Sequence, residues 1–243
     1  MRMRKKKHGA ERLSALSTLI YRPTGIKGSF EGVFEKELPI RLEIGCGKGD
    51  FIGRMSEAES GYNYFAMEKV SDVMVVAVEK YAVARGLGGL SPHGQWMLPD
   101  GTLTPLGEVA DIPLAMRGNV RFINADAAAI TDIFLPGTVD TVFANFSDPW
   151  PKKGDRDKRL TSPVFLKRYL TVLRDEGSFK FKTDNIGLFE YSLETVKNSD
   201  FELVNVTNDL HSSPLNSTNI ETEYERNFSA KGFRINYLEA VKK

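Results

Sequence analysis

A single cysteine, Cys46, stands in 243 residues. No intramolecular disulfide can form, and a reducing compartment such as the cytosol is expected. Net charge is nearly absent: 33 basic residues against 32 acidic ones leave +1, which excludes attraction of nucleic acid by the field of the molecule as a whole. No apolar run approaches the length of a membrane span, and the longest, such as Val73 to Val78, suit a helix core. The basic opening residues do not lead into a signal-peptide stretch, because Glu11, Arg12 and Ser14 interrupt it. A cytoplasmic protein with no membrane partner is the expectation. His8, His93 and His211 lack metal-ligand spacing and no Cys/His cluster exists, so no metal is expected. What remains is ordinary globular composition, 41% hydrophobic and 27% charged, enough for one large α/β domain or two small ones.

The most informative stretch is Arg41-Leu42-Glu43-Ile44-Gly45-Cys46-Gly47-Lys48-Gly49-Asp50. An apolar run meets three alternating glycines and a helical pattern follows, which reads as strand, tight turn, helix: the opening unit of a nucleotide-type fold. A dinucleotide fingerprint starting at Gly45 needs glycine at position 50, where Asp50 stands. The sequence has E-x-G-x-G-x-G instead, the form associated with S-adenosylmethionine. A second strand ends in Glu68, 23 residues past Gly45. An acid there accepts hydrogen bonds from both ribose hydroxyls; the plainer reading is a solvated acid before a helix.

Strands are predicted near 40–44, 62–67, 120–123, 139–145, 178–183, 201–206 and 233–241. Helices are predicted near 48–58, 71–85, 161–174 and 185–197, with a short one near 126–133. This alternation argues for a mostly parallel sheet covered on both faces. A long polar segment, not a clear helix, precedes the last strand, which suits an antiparallel run. Residues 1–38 read as a basic N-terminal extension and 39–243 as one domain. Gly86–Gly118, with seven glycines and four prolines, reads as an insertion; its Pro99-Asp100-Gly101 turn between short alternating runs predicts a hairpin. Phe179 and Phe181 alternate as strand core, which leaves Lys180 and Lys182 for solvent or RNA.

The loop Asn145-Phe146-Ser147-Asp148-Pro149-Trp150-Pro151-Lys152-Lys153 follows the predicted fourth strand and so belongs in the same crevice as Gly45 and Glu68. Its prolines predict extended backbone at Asp148 and Trp150. Trp150 is either a flat face for a base or a core-packed ring, and Asp148 either a reactive-site acid or a turn cap. Positive charge is concentrated at Arg2, Arg4, Lys5, Lys6, Lys7 and Arg12, and again at Lys152, Lys153, Arg156, Lys158 and Arg159. Such clusters commonly contact phosphates; a solubilising tail is the alternative for the first.

The run Asn145–Lys153 resembles the N-F-S-D-P-W-P-K segment of the tRNA (guanine-N7-)-methyltransferases. The resemblance covers nearly the whole chain, through Met1–Lys5, Leu42–Gly45, Asn124–Ala127, Lys158–Pro163, Phe181–Asn185, Thr222–Glu225 and Phe228–Gly232. It implies a Rossmann-like class I methyltransferase: a seven-stranded, mostly parallel sheet with an antiparallel last strand and helices on both faces. It implies S-adenosyl-L-methionine as cofactor and tRNA as partner, methylated at N7 of guanine 46 in the variable loop. It further implies that Glu43, Gly45, Gly47 and Gly49 hold the methionine end, Glu68 the ribose, and Asn124 with Asp126 the adenine. Asp148 resembles the catalytic acid, placed beside the cofactor as well. Lys152, Asp184 and Thr222, Glu223, Tyr224 and Glu225 resemble substrate contacts, with Asp184 or Glu223 suited to read the guanine N1–H and amino group. Two features depart from the family pattern: the length of Gly86–Gly118, and the acids in Gly154-Asp155-Arg156-Asp157 where a strongly basic stretch is usual.

Rival readings are a small-molecule methyltransferase sharing only the cofactor half, a nicotinamide dehydrogenase, and a non-catalytic tRNA-binding protein. The basic arm and the Asp184 and Thr222 segments weigh against the first, Asp50 against the second, and intact Glu43, Glu68, Asp126 and Asp148 against the third.

Overall fold

The computed structural model describes residues 5–23 and 25–243; Arg2 and Arg4 of the basic arm lie outside the described residues. A seven-stranded sheet runs through the molecule in the order β6-β2-β1-β7-β8-β10-β9. Its strands are β1 (Ile40–Ile44), β2 (Asn63–Met67), β6 (Val120–Ile123), β7 (Val139–Asn145), β8 (Leu173–Thr183), β9 (Phe201–Thr207) and β10 (Asn236–Lys242). Pairings among the first five are parallel, whereas β10 pairs antiparallel with both β8 and β9. The expected antiparallel last strand is therefore present, set between its two predecessors.

Helices α2 (Asp50–Ala58), α3 (Ser71–Ala84), α4 (Ile130–Ile133), α5 (Pro163–Val172) and α6 (Ile186–Lys197) form the covering layers. Every residue of β2 and β7 is buried, as expected for parallel strands covered on both faces. Successive side chains point opposite ways. Phe65, Met67, Val142 and Ala144 join one core layer, while Tyr64, Ala66 and Phe143 join the other. The chain winds outward from β1 to β2 and β6, then crosses to β7. This puts the reversal of winding between β1 and β7, and ligands of open α/β sheets bind at the carboxyl ends of such a pair.

The described residues before β1 include folded elements. Helix α1 (Gly9–Ala15) and a following 3-10 turn bury Leu16, Leu19 and Tyr21. Arg12 reaches Glu79 of α3 through two bonds of 2.7 and 2.6 Å. The 86–118 insertion forms a separate three-stranded sheet, β3 (Gly89–Leu90), β4 (Trp96–Met97) and β5 (Leu103–Thr104). The expected hairpin is its second half, with Trp96 opposite Thr104 and Met97 opposite Leu103. Trp96 is buried, and its indole N–H donates to Leu87 O at 3.1 Å. The insertion packs on α1: Ala110 N–H donates to Ala15 O at 2.8 Å and Ser14 Oγ to Gly107 O at 3.0 Å.

Candidate active site

The glycine turn leaves β1 as a tight hinge. Gly45 N–H and Cys46 N–H both donate to Met67 O, which ties the turn to the end of β2. Gly47 has φ +56° and nothing within 4 Å of where a Cβ would stand, so its backbone faces open space. Gly49, with φ +75°, is different: a Cβ there would lie 2.9 Å from Ala77 Cβ, so only glycine lets α2 start this close to α3. Glu68 braces the turn, accepting from Gly47 N–H at 3.2 Å and from Val70 N–H at 2.9 Å through separate oxygens. Asn124 Nδ2 donates to Glu68 O, and Asp126 caps the turn before α4 by accepting from Ala128 N–H at 2.9 Å.

A cleft of about 750 Å³ opens beside this turn, lined among others by Gly45, Glu68, Asp126, Phe146, Asp148 and Trp150. A second cavity of about 340 Å³ lies on the other side of Gly45 and Asn145, bounded by Glu43, Gly47, Thr222, Glu223 and Tyr224. Glu43 is 2% exposed. Asn145 Nδ2 donates to its Oε1 at 3.2 Å, while Oε2 has no partner among the described residues. Burial, reinforced by Glu68 and Asp50, pushes its carboxyl up to about 8 although Asn145 and Lys182 oppose the shift. An orphaned acid oxygen beside an open glycine turn suits a ligand carrying positive charge or a donor group. Burial also raises the Cys46 thiol well above its ordinary value, which suits a packed filler and not a thiolate nucleophile.

The Asn145–Trp150 loop departs from expectation. Trp150 is not extended; its φ is +42°, and Phe146 has φ +52°. Positive φ is costly for bulky side chains, the more so before proline. Arg159 holds this shape, donating to Pro149 O at 2.9 Å and to Trp150 O at 3.0 Å. Arg159 was expected among the phosphate contacts; it is buried and its guanidinium is engaged by these carbonyls. Trp150 forms part of the cleft wall, its ring 4.9 Å from the Lys158 ammonium. Asp148 is exposed at the mouth, with no hydrogen bond or ion pair to its carboxylate among the described residues.

The family model described as a putative methyltransferase matches residues 37–238. Over 233 residues the sequence is 40% identical to the tRNA (guanine-N(7)-)-methyltransferase of Bacillus subtilis (strain 168), covering 96% of this chain and 94% of that protein. It is 37% identical over 241 residues to the protein of the same name from Bacillus licheniformis, covering 99% and 98%. The chain belongs to the tRNA (guanine-N(7)-)-methyltransferase family. A solved 16S rRNA methyltransferase, KamB, superposes with a TM-score of 0.58 at 14% identity, covering 93% of this chain and 98% of that one; the likeness shows the Rossmann-like methyltransferase fold.

Helix α7 (Glu223–Ser229) was not anticipated. Its signal was present as the T-x-x-E spacing of Thr222 and Glu225: Thr222 Oγ1 accepts from Glu225 N–H at 2.8 Å and Glu225 Oε2 accepts from Thr222 N–H at 3.3 Å, a capping box. The helix separates four residues expected to act together. Tyr224 is exposed and Thr222 is a buried cap. Glu225 is 0% exposed and accepts from Lys182 Nζ (2.8 Å), Asn219 Nδ2 (2.7 Å) and the paired His211 ring (2.9 Å). Burial alone would raise its carboxyl; the Lys182 ammonium and the hydrogen bonds hold it below the ordinary value. Glu225 therefore anchors the helix and offers no oxygen to a substrate. Lys182, expected to face solvent or RNA, is buried because the 219–225 segment covers that face of β8. Glu223 has both oxygens in ion pairs, with Lys48 at 3.1 Å and Lys80 at 2.9 Å. Asp184 keeps a freer carboxylate, touched only by Tyr224 OH at 3.5 Å among the described residues.

Of the remaining basic positions, Lys152, Lys153 and Arg156 are exposed with no ion pair among the described residues, while Lys158 pairs with Asp155 at 2.7 Å. Lys5 and Lys7 are exposed; Lys6 is half-buried and its N–H donates to Asp72 at 2.8 Å.

Proposed function

We propose that this chain methylates N7 of guanine in tRNA, at guanine 46 of the variable loop, using S-adenosyl-L-methionine. The observation that carries the reading is the Asp148 carboxylate, unpaired among the described residues, on the cleft that runs past Glu68 to the glycine turn, in a chain whose relatives are named tRNA (guanine-N(7)-)-methyltransferases. The residues fit the cofactor: Gly47 faces open space, Glu43 has an orphaned oxygen, and Glu68 and Asp126 keep unused acceptor sites. Glu43 and the turn would hold the methionine end, Glu68 the ribose hydroxyls, and Asn124 with Asp126 the adenine. When bound, the cofactor supplies a methyl group already activated by its positive sulfur.

Guanine N7 bears a free lone pair at neutral pH, so no residue is needed to remove a proton from it. The chain's work is alignment and electrostatics. Phe146 and Trp150 wall the path to the cleft. Asp148 stabilises the positive charge that develops on the imidazole part of the base. Asp184 accepts from N1–H and the amino group, distinguishing guanine from adenine. Lys152, Lys153, Arg156, Lys5 and Lys7 meet phosphates.

The test is transfer of labelled methyl to unmodified tRNA transcripts, with borohydride–aniline cleavage locating N7-methylguanosine. A single cleavage in the variable loop is expected; no incorporation by a protein shown separately to bind the cofactor refutes the reading. Asp148→Asn keeps the shape and removes the charge. Its single-turnover rate on bound tRNA should fall about 100-fold, the scale of removing one preorganised electrostatic partner, and an unchanged rate would remove Asp148 from the mechanism.

A further inference from the structure

Four aromatic rings lead away from the mouth of the cleft. Phe146, on the Asp148 loop, lies 4.9 Å from Tyr224; Tyr224 stacks on Phe228 at 4.0 Å with 13° between planes; Phe228 lies 5.4 Å from Phe233. The last step belongs partly to the end of α7. Gly232 takes φ +84° and Phe233 N–H donates back to Phe228 O at 3.2 Å. This is a glycine helix stop of the kind usually accompanied by an apolar contact across it. That role needs an apolar side chain at position 233 and is served best by burying it.

Phe233 is instead 52% exposed. It stands between two outward cations, Lys231, whose ammonium is 5.2 Å from the Phe228 ring centre, and Arg234. Arg234 is largely exposed and its nitrogen lies 3.6 Å from the carboxylate of the partly buried Asp209, a long and loose pair that leaves most of the guanidinium free. The patch thus offers a half-exposed aromatic ring flanked in sequence by positive charge and joined ring by ring to the site. Single-stranded nucleic acid requires that combination: bases stack on aromatic faces while cations meet the adjoining phosphates. The net charge of the protein does not provide such an attraction, so it must come from local features like this one.

We propose that Phe233, with Lys231 and Arg234, is a stacking platform for an unpaired nucleotide next to the target guanine. It keeps the RNA strand splayed while the target base enters the cleft past Phe146. The proposal rests on the tRNA reading above and adds to it a second nucleotide site.

The experiment uses the full chain, a tRNA transcript and two substitutions. Phe233→Leu keeps an apolar contact for the helix stop and removes the ring; Phe233→Trp restores a larger π-face. Equilibrium tRNA binding, cofactor binding, melting temperature and methyl-transfer kinetics are measured for each. For Phe233→Leu, tRNA binding is expected to weaken about 5- to 100-fold, the range for losing one base–aromatic stack. The loss should appear as a higher KM for tRNA with kcat retained at saturation, and with unchanged melting and cofactor binding; Phe233→Trp should bind as wild type or tighter. Wild-type tRNA affinity and KM in Phe233→Leu overturn the platform while leaving the methylation reading intact. Phe233-dependent tRNA binding by a wild-type protein that transfers no methyl overturns the methylation reading and leaves the platform standing.

Discussion

Replacing Glu43 with glutamine tests the electrostatics of the site without any substrate. The native carboxyl is buried, its Oε2 has no partner among the described residues, and its pKa rises from 4.5 to about 8. The folded protein therefore holds a proton that the unfolded chain releases. Stability from this group is complete below about pH 4.5 and is lost as pH climbs toward and through 8. At 1.36 kcal/mol per unit, linkage between those values amounts to about 4 kcal/mol lost between pH 5 and pH 9. For a chain of this size each kcal/mol moves the melting temperature by about 2–4 °C. Glu43→Gln removes the titration and keeps the shape, and its amide can still accept from Asn145. Both proteins are melted from pH 5 to pH 9 without cofactor, and the readout is the difference in Tm. That difference should shift by roughly 8–16 °C in favour of the variant across the range, whatever its value at pH 5, because other titrating groups cancel. A difference that stays flat with pH would show that Glu43 ionises freely in the fold, and would refute the reading of a dry, orphaned acid.

Lys182→Met should strand the Glu225 charge and lower stability by about 3–5 kcal/mol, read as a lower urea midpoint. Adding Glu225→Gln should recover part of the loss, and no recovery would show that the pair is not coupled. Arg159→Lys cannot hold the Pro149 and Trp150 carbonyls with one rigid fork. Its kcat is expected to fall about 10- to 100-fold, as for a misplaced catalytic group, with tRNA binding little changed; wild-type kcat would dissociate Arg159 from loop geometry.

The glycine turn and the strands and helices around it were legible in the sequence because their information is local. Glycine spacing at 45, 47 and 49, the acid at 68 and the strand–helix alternation each follow from a few neighbouring residues. The errors occurred where one residue depends on a distant one. Alternation with Phe179 and Phe181 placed Lys182 outward, but β8 is covered on that face too, by a segment 37 residues or more further on that supplies Asn219 and Glu225. Proline flanks predicted an extended Trp150, and the guanidinium of Arg159 outweighs that local preference. Basic composition put Arg159 on the surface for the same reason. Helix α7 spans seven residues, too short for periodicity to reveal, and only its capping box marked it.

The bonds from the 86–118 insertion to α1 join parts of the chain more than ninety residues apart. Leu16 and Leu19 on one side and Ala110 and Ile112 on the other belong to one apolar cluster. They should open as a single cooperative unit, with amide protons exchanging together and apart from those of the central strands. Lys5 and Lys7 lie just ahead of α1, so the unit that includes a glycine-rich loop remote in sequence also determines how long those two exposed charges are held in place.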